Sequence, residues 1–245
     1  MGVGLTSWRA MAASVVGSGH RVRDIGCEDA SAVVVTDDGT LLVAVADGAG
    51  SARLAAEGSH RAVDAAMSAL GAGLELCDVL AEARRALEPT AEESDDGVAF
   101  GDRATTLLVV RASTRSGEIE TAQVGDGALV VRSEGGLEVL AADVKGEYLN
   151  ETCFLTSDRW AEEARVSRRP LEGVDGLAAL TDGLQLVALD LATGAPHAPF
   201  FAPFFDFVAT NGEVAALENF LGSDRVAERT DDDVTLAIAV LLPSA

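Results

Sequence analysis

The chain has 245 residues, with 18 Lys and Arg against 40 Asp and Glu, a formal net charge of −22 at pH 7. A general nucleic-acid binder needs a cationic face to neutralise phosphates, and this composition is short of cations. At 48% hydrophobic residues the chain is too apolar to be disordered, and no apolar run approaches the roughly 20 residues that span a bilayer.

Cys27, Cys77 and Cys153 are odd in number and widely spaced. That pattern indicates neither a disulfide framework nor a zinc knuckle, and it places the protein in a reducing, cytoplasmic setting. Aromatic residues make up only 4%, so the core must be built from Val, Leu and Ala. No internal repeat and no long Gly, Ser or Pro linker divides the chain, so residues 1–245 are expected to form one domain.

In chain order, Ala32-Val33-Val34-Val35 and Leu41-Leu42-Val43-Ala44-Val45 flank Asp37-Asp38-Gly39. Two β-branched runs around an Asp-Gly turn predict a hairpin. From Ala52 to Leu70 the pattern turns helical, with Val63, Met67 and Leu70 on one face and Ser51 as the candidate N-cap. A second helix is expected from about Leu76 to Leu87. The polar stretch Glu88 to Asp102 reads as a surface loop.

Strands are expected again at Thr106 to Val110, Ile119 to Val124, Ala128 to Val131 and Gly176 to Leu180. Two helical stretches follow, around Phe204 to Ala209 and Glu213 to Phe220, and Val234 to Leu242 closes the chain as a buried strand. Five of the eight phenylalanines fall between Phe200 and Phe207 and read as the core face of a helix. Strand runs with two inserted helix pairs favour an α+β sandwich over a regularly alternating fold.

One feature repeats where apolar runs stop: an Asp, usually beside Gly. It occurs as Ala46-Asp47-Gly48, Gly125-Asp126-Gly127, Thr181-Asp182-Gly183 and the run Asp231-Asp232-Asp233, with Glu28-Asp29 ahead of the first hairpin strand. Asp-Gly is a common turn dipeptide, and any one of these could be only that. Converging carboxylates are another matter, because each pair near 4 Å costs about 4 kcal/mol at an effective dielectric of 20. A fold tolerates such crowding when cations sit between the groups. All-oxygen ligation suits Mg²⁺ or Mn²⁺ rather than zinc or copper.

The ordered series Cys27-Glu28-Asp29, Val45-Ala46-Asp47-Gly48-Ala49-Gly50, Ala104-Thr105-Thr106, Val124-Gly125-Asp126-Gly127, Leu180-Thr181-Asp182-Gly183 and Asp232-Asp233-Val234-Thr235 resembles the metal-dependent protein phosphatase family (PPM, type 2C). Each motif alone is weak; six in order, over about residues 19 to 242, are not. The stretch Gly146 to Thr152 resembles a segment of the family's bacterial branch.

The resemblance implies a four-layer α-β-β-α sandwich, two mainly antiparallel sheets flanked by helix pairs, with a binuclear Mn²⁺ or Mg²⁺ site at one end. By position, Asp47 would bridge the two ions, the Gly48 carbonyl would bind one, and Asp182 and Asp232 would hold the other. Glu28 and Asp29 would act through coordinated waters, and Asp126 would help bind a weaker third ion. A water bridging two cations loses its proton near neutral pH and attacks phosphorus in line. The family's phosphate-binding Arg lies four residues before the Glu, a count that ends at Asp24, so Arg23 is the candidate with a one-residue shift. Two departures stand out: Ala49 replaces the His that eukaryotic members carry, and Leu186 replaces an Asp common four residues after the one matched by Asp182.

The implied activity is hydrolysis of serine and threonine phosphomonoesters on proteins, opposite a protein kinase, by a monomer without nucleic-acid or membrane partners. Two alternatives stay open: a regulatory binding module on the same fold, and a binuclear hydrolase of small phosphate esters.

Overall fold

The computed structural model describes residues 6–141, 152–190 and 192–243. The bacterial-branch stretch noted above lies outside them, apart from Thr152. The strands are β1 (Ser7–Val15), β2 (Asp29–Val35), β3 (Thr40–Asp47), β4 (Leu107–Ser113), β5 (Glu118–Val124), β6 (Ala128–Ser133), β7 (Gly136–Ala141), β8 (Arg165–Pro170), β9 (Val174–Leu180) and β10 (Val234–Leu242). The helices are α1 (Ser18–Val22), α2 (Ala55–Gly71), α3 (Leu76–Ala86), α4 (Ala91–Asp95), α5 (Trp160–Glu163), α6 (Gln185–Ala188), α7 (Ala198–Ala209), α8 (Val214–Leu221) and α9 (Asp224–Ala227). One sheet has the order β1-β10-β9-β6-β7 and the other β2-β3-β4-β5-β8, with every pairing antiparallel.

Strand alternation builds the layers. On β3, Leu42, Ala44 and Ala46 face α2 and α3, while Leu41, Val43 and Val45 face the other sheet. On β10, Leu236, Ile238 and Val240 pack under α7 and α8, while Ala237 and Ala239 turn inward. Residues at i and i+2 share a sheet face, so each central strand feeds two cores at once. Three cores between four layers result, which is the expected α-β-β-α sandwich.

The differences from the sequence reading are local. β1 was not expected, because its alternation is muted by alanines; it pairs with β10 along its whole length, burying Trp8 on one face and Met11 and Ala13 on the other. β7 and β8 are sheet edges, and the Arg-Val-Ser-Arg-Arg-Pro of β8 has the polar, Pro-ended character of an edge. α2 starts at Ala55, and Ser51 does not cap it. Residues before it are held instead to a neighbouring loop, with Ala49 N–H donating to the Ala104 carbonyl and Leu54 N–H to that of Asp102.

The stretch Glu88 to Asp102 is also more ordered than a loop. It contains α4, entered through a capping box between Thr90 and Glu93, and a 3-10 turn at Phe100–Arg103. Arg103 is 1% exposed. Its guanidinium meets Glu57 at 2.8 Å and Glu93 at 2.6 Å, and Arg61 shares both carboxylates at 2.7 Å.

Candidate metal centre

Strand register decides which Asp residues meet. Asp29 opens β2 directly opposite Asp47, the last residue of β3. Val124, at the end of β5, pairs with Leu107 at the start of β4, and the next turn, Gly125-Asp126-Gly127, carries the chain across to β6. Ala128 pairs with Leu180, and Leu180 with Leu236. The ends preceding Asp126 and Asp182 and the start following Asp232 therefore lie at one edge of the sandwich.

There Asp47, Asp126 and Asp182 each offer a carboxylate oxygen, and the three atoms lie within 4.8 Å of one another. Asp232 stands outside that trio and is exposed, its Oδ1 accepting from the Asp233 N–H at 2.9 Å. Its charge still reaches both Asp47 and Asp182. Burial, reinforced by the charges of Asp29, Asp182, Asp232 and Asp126, pushes the Asp47 carboxyl up to about 10. Burial and the charges of Asp126 and Asp232 raise Asp182 to about 6. These groups resist ionising together, the signature of a site that lacks a countercharge.

Asp29 is 2% exposed and its Oδ2 accepts from the hydroxyls of Thr181 at 2.8 Å and Thr235 at 2.7 Å. Burial dominates those bonds and lifts its carboxyl to about 7. Glu28 is raised as well, by burial first, with His20 and Arg23 opposing and Asp233 adding to the rise. Asp233 was not singled out in the sequence, yet it is the hub of this corner. It accepts from the backbone N–H of Gly17 at 2.6 Å and of Glu28 at 2.5 Å, and it pairs with His20 Nδ1 at 3.0 Å. Arg23 is exposed at the end of α1, its Nε donating to the Gly19 carbonyl. Thr105 and Thr106 are local fasteners: the Thr105 hydroxyl donates to the Asp47 carbonyl at 2.8 Å and Thr106 Oγ1 accepts from the Asp47 N–H at 3.0 Å.

The donor set fits hard divalent cations. Asp126 Oδ1 is buried with no hydrogen-bond partner among the described residues, and Glu28 Oε2, also without one, has His20 Nε2 at 3.7 Å. Orphaned buried carboxylate oxygens are costly unless something absent from the protein itself satisfies them. Gly48 is required where it sits, since a Cβ there would come within 2.5 Å of the Ala55 carbonyl oxygen. Cys27 is no nucleophile: burial, with Asp233 and Asp29 nearby, pushes its thiol far above the ordinary range. His60, on α2, bonds the Ala56 carbonyl at 2.7 Å and takes no part in the cluster. One local signal was present for two of the missed partners: Thr181 directly precedes Asp182, and Thr235 stands two residues after Asp233.

With this geometry established, comparison with known proteins is informative. The family described as protein phosphatase 2C matches residues 16–222. A serine/threonine-protein phosphatase 3 of Escherichia coli (strain K12) is 38% identical over 258 residues, spanning 96% of this chain and 98% of that protein. Among solved structures, the serine/threonine phosphatase Stp1 from Staphylococcus aureus superposes with a TM-score of 0.67 at 15% identity, covering 99% of this chain and 98% of that one. RsbX in complex with magnesium superposes with a TM-score of 0.62 at 16% identity, covering 98% and 100%. At such identities the two structures speak for the fold alone.

Proposed function

Because the chain belongs to the protein phosphatase 2C family, we propose that the carboxylates at the strand ends are the centre of its metal-dependent phosphatase reaction. The protein is a serine/threonine protein phosphatase, a hydrolase of phosphoprotein monoesters. The observation that carries the assignment of the site is the convergence of Asp47, Asp126 and Asp182, with buried carboxylate oxygens left unsatisfied beside them.

In this reading Asp47, the Gly48 carbonyl, Asp182 and Asp232 would hold two cations, Mn²⁺ or Mg²⁺, and Asp126 would contribute to a weaker third. Such ions supply an acidic water as nucleophile and neutralise charge on the phosphoryl oxygens. The chain's own residues do the rest. Thr181 and Thr235 hold Asp29 in place, and Asp233 fixes the backbone of Glu28, so that both carboxylates can orient solvent toward the ions. Arg23 receives the phosphoryl group, for which a guanidinium offers a planar two-pronged donor. Ala49 has no proton to give, so the leaving alkoxide takes its proton from water or another group.

Among the described residues no helix is long and apolar enough to cross a membrane. In our reading a single phosphatase domain acts as a cytoplasmic monomer opposite a serine/threonine kinase, and the three free cysteines fit a reducing compartment. The test is hydrolysis of p-nitrophenyl phosphate and a phosphothreonine peptide with Mn²⁺, with Mg²⁺ and with EDTA, beside Asp182→Asn. Metal-dependent phosphate release that disappears in the variant is the expected result. Full activity in the variant would remove Asp182 from the site, and silence without bound metal would remove the site itself.

A further inference from the structure

The short helix α1 ends beside the carboxylate centre in a turn that is unusually well fastened for so exposed a segment. Ile25 N–H donates to the His20 carbonyl at 3.0 Å and Asp24 N–H to that of Arg21 at 3.2 Å, the paired bonds of a Schellman closure. Asp24 supplies the left-handed residue at φ 57°, a conformation that a side chain other than glycine adopts at a cost. Arg23 Nε bonds the Gly19 carbonyl, and Gly19 N–H bonds the Asp231 carbonyl at 2.8 Å, docking the turn against the acidic run.

This fixed turn displays apolar and cationic side chains together. Val22 is 88% exposed and Ile25 is 36% exposed. Between and before them stand Arg21 and Arg23, both exposed, with no carboxylate at ion-pair distance among the described residues. Elsewhere Arg53, Arg61, Arg103, Arg132, Arg168 and Arg169 are each ion-paired, while exposed Arg115, Arg225 and Arg229 share with Arg21 and Arg23 the lack of a carboxylate at ion-pair distance among the described residues; what sets Arg21 and Arg23 apart is their place beside the carboxylate centre. On a chain of net charge −22, two guanidinium groups without an ion-pair partner at the rim of the acidic cluster place local cations where a substrate would approach, with Asp24 as the one carboxylate in the turn itself. Screening confines their field to about 8 Å at physiological ionic strength, so a ligand at this rim meets the local cations rather than the distant surface charge.

We infer that the turn Arg21 to Ile25 reads the substrate beside its phosphorylated residue, and that it selects segments carrying acidic side chains next to an apolar one. The inference rests on the phosphatase reading above. Arg21 pairs with a flanking carboxylate, Val22 and Ile25 cover the apolar neighbour, and Arg23 is left for the phosphoryl group itself. Nothing in the turn has to order on binding, because the Schellman bonds already hold it in place.

The experiment uses the Mn²⁺-loaded protein with two phosphothreonine peptides of equal length, one flanked by Glu and Leu, the other by Arg and Ser. p-Nitrophenyl phosphate is assayed alongside. The expected kcat/KM ratio favours the acidic-apolar peptide by about two- to fivefold, the range that one exposed ion pair supplies, and it shrinks in 0.5 M salt. Arg21→Glu inverts the ratio; Arg21→Gln, the gentler change, brings it toward one; Val22→Asp lowers kcat/KM on the acidic-apolar peptide. A ratio of one or below in the wild type, with p-nitrophenyl phosphate turned over normally, would overturn the inference and leave the phosphatase reading standing. Failure on all three substrates with metal bound would instead overturn that reading. An unchanged ratio in folded Arg21→Glu and Arg21→Gln would also remove the turn as the reader.

Discussion

The two helical layers cover their sheets by opposite means. α7 and α8 bring bulk: Phe200, Phe201, Phe204 and Phe205 are buried against β9 and β10, with ring centroids 5.0 to 6.3 Å apart along α7. α2 and α3 bring closeness: between Val63, Leu70, Leu76, Val79 and Leu80 their buried faces carry Ala62, Ala66, Ala69 and Ala83, and a Cβ on Gly58 would stand 2.5 Å from the Arg103 carbonyl oxygen. The Phe layer fills volume with side chains that add offset and edge-on ring contacts to their buried area. The Ala layer brings backbone against backbone, next to the loop that follows Asp47. Tolerance for error differs accordingly, since rings can repack and peptide planes at contact distance cannot. The site draws on both sides: Asp47 ends a strand under the closer layer, and Asp182 follows one under the Phe layer.

The largest expected effect separates the site from both layers. Asp47→Asn should lower kcat by more than the roughly 100-fold that even outer-shell changes around metals can cost. The same change should raise the melting temperature of the metal-free protein, because the carboxyl it replaces is crowded by four others. A metal-free protein made less stable by the substitution would mean that Asp47 has a favourable partner in the fold.

A middle-sized effect bears on the comparison of the layers. Phe205→Ala removes a fully buried ring and should cost about 3–5 kcal/mol, leaving kcat of the folded fraction close to that of the parent. Arg103→Met should cost less, about 1–3 kcal/mol, since Glu57 and Glu93 remain 39% and 27% exposed and can hydrate. It should nonetheless raise the Mn²⁺ concentration for half-maximal activity, because Ala104 and Asp102 fasten the segment between Asp47 and α2. Urea unfolding and metal titration of both variants decide the matter; equal metal affinities would dissolve the distinction between the layers.

The smallest effect is a pH dependence. Asp29 at about 7 and Asp47 at about 10 bind protons more tightly folded than unfolded, where carboxylates titrate at about 3.9. Above that unfolded value the folded state holds more protons, so the stability of the metal-free protein falls as pH rises, through about 7 and beyond. Its melting temperature should be higher at pH 5.5 than at pH 8. Saturating Mn²⁺ should reverse the trend, since ligation requires the ionised form. A metal-free melting temperature that is flat across this window would show that the carboxylates are not crowded in solution.

Much of this was readable along the chain. The β2–β3 hairpin, α3 and β10 appear where their patterns predict them, because period-two alternation and an Asp-Gly turn are local properties. The Asp-Gly strand ends were visible too, because strands stop where a turn residue follows an apolar run. β1 was hidden, since alanine carries too little hydrophobic contrast to display a two-residue period. Arg103 directly follows the stretch that reads as a surface loop, and its burial depends on Glu57 and Glu93, which only folding brings to it. Asp232 and Asp233 show the limit most plainly. Neighbouring residues entering a strand face opposite ways, so one stands in solvent and the other joins Gly17, His20 and Glu28. Composition and pattern determined that a row of carboxylates would end these strands; which of them share a cation depends on strand register across two sheets, and register is a property of the assembled sandwich.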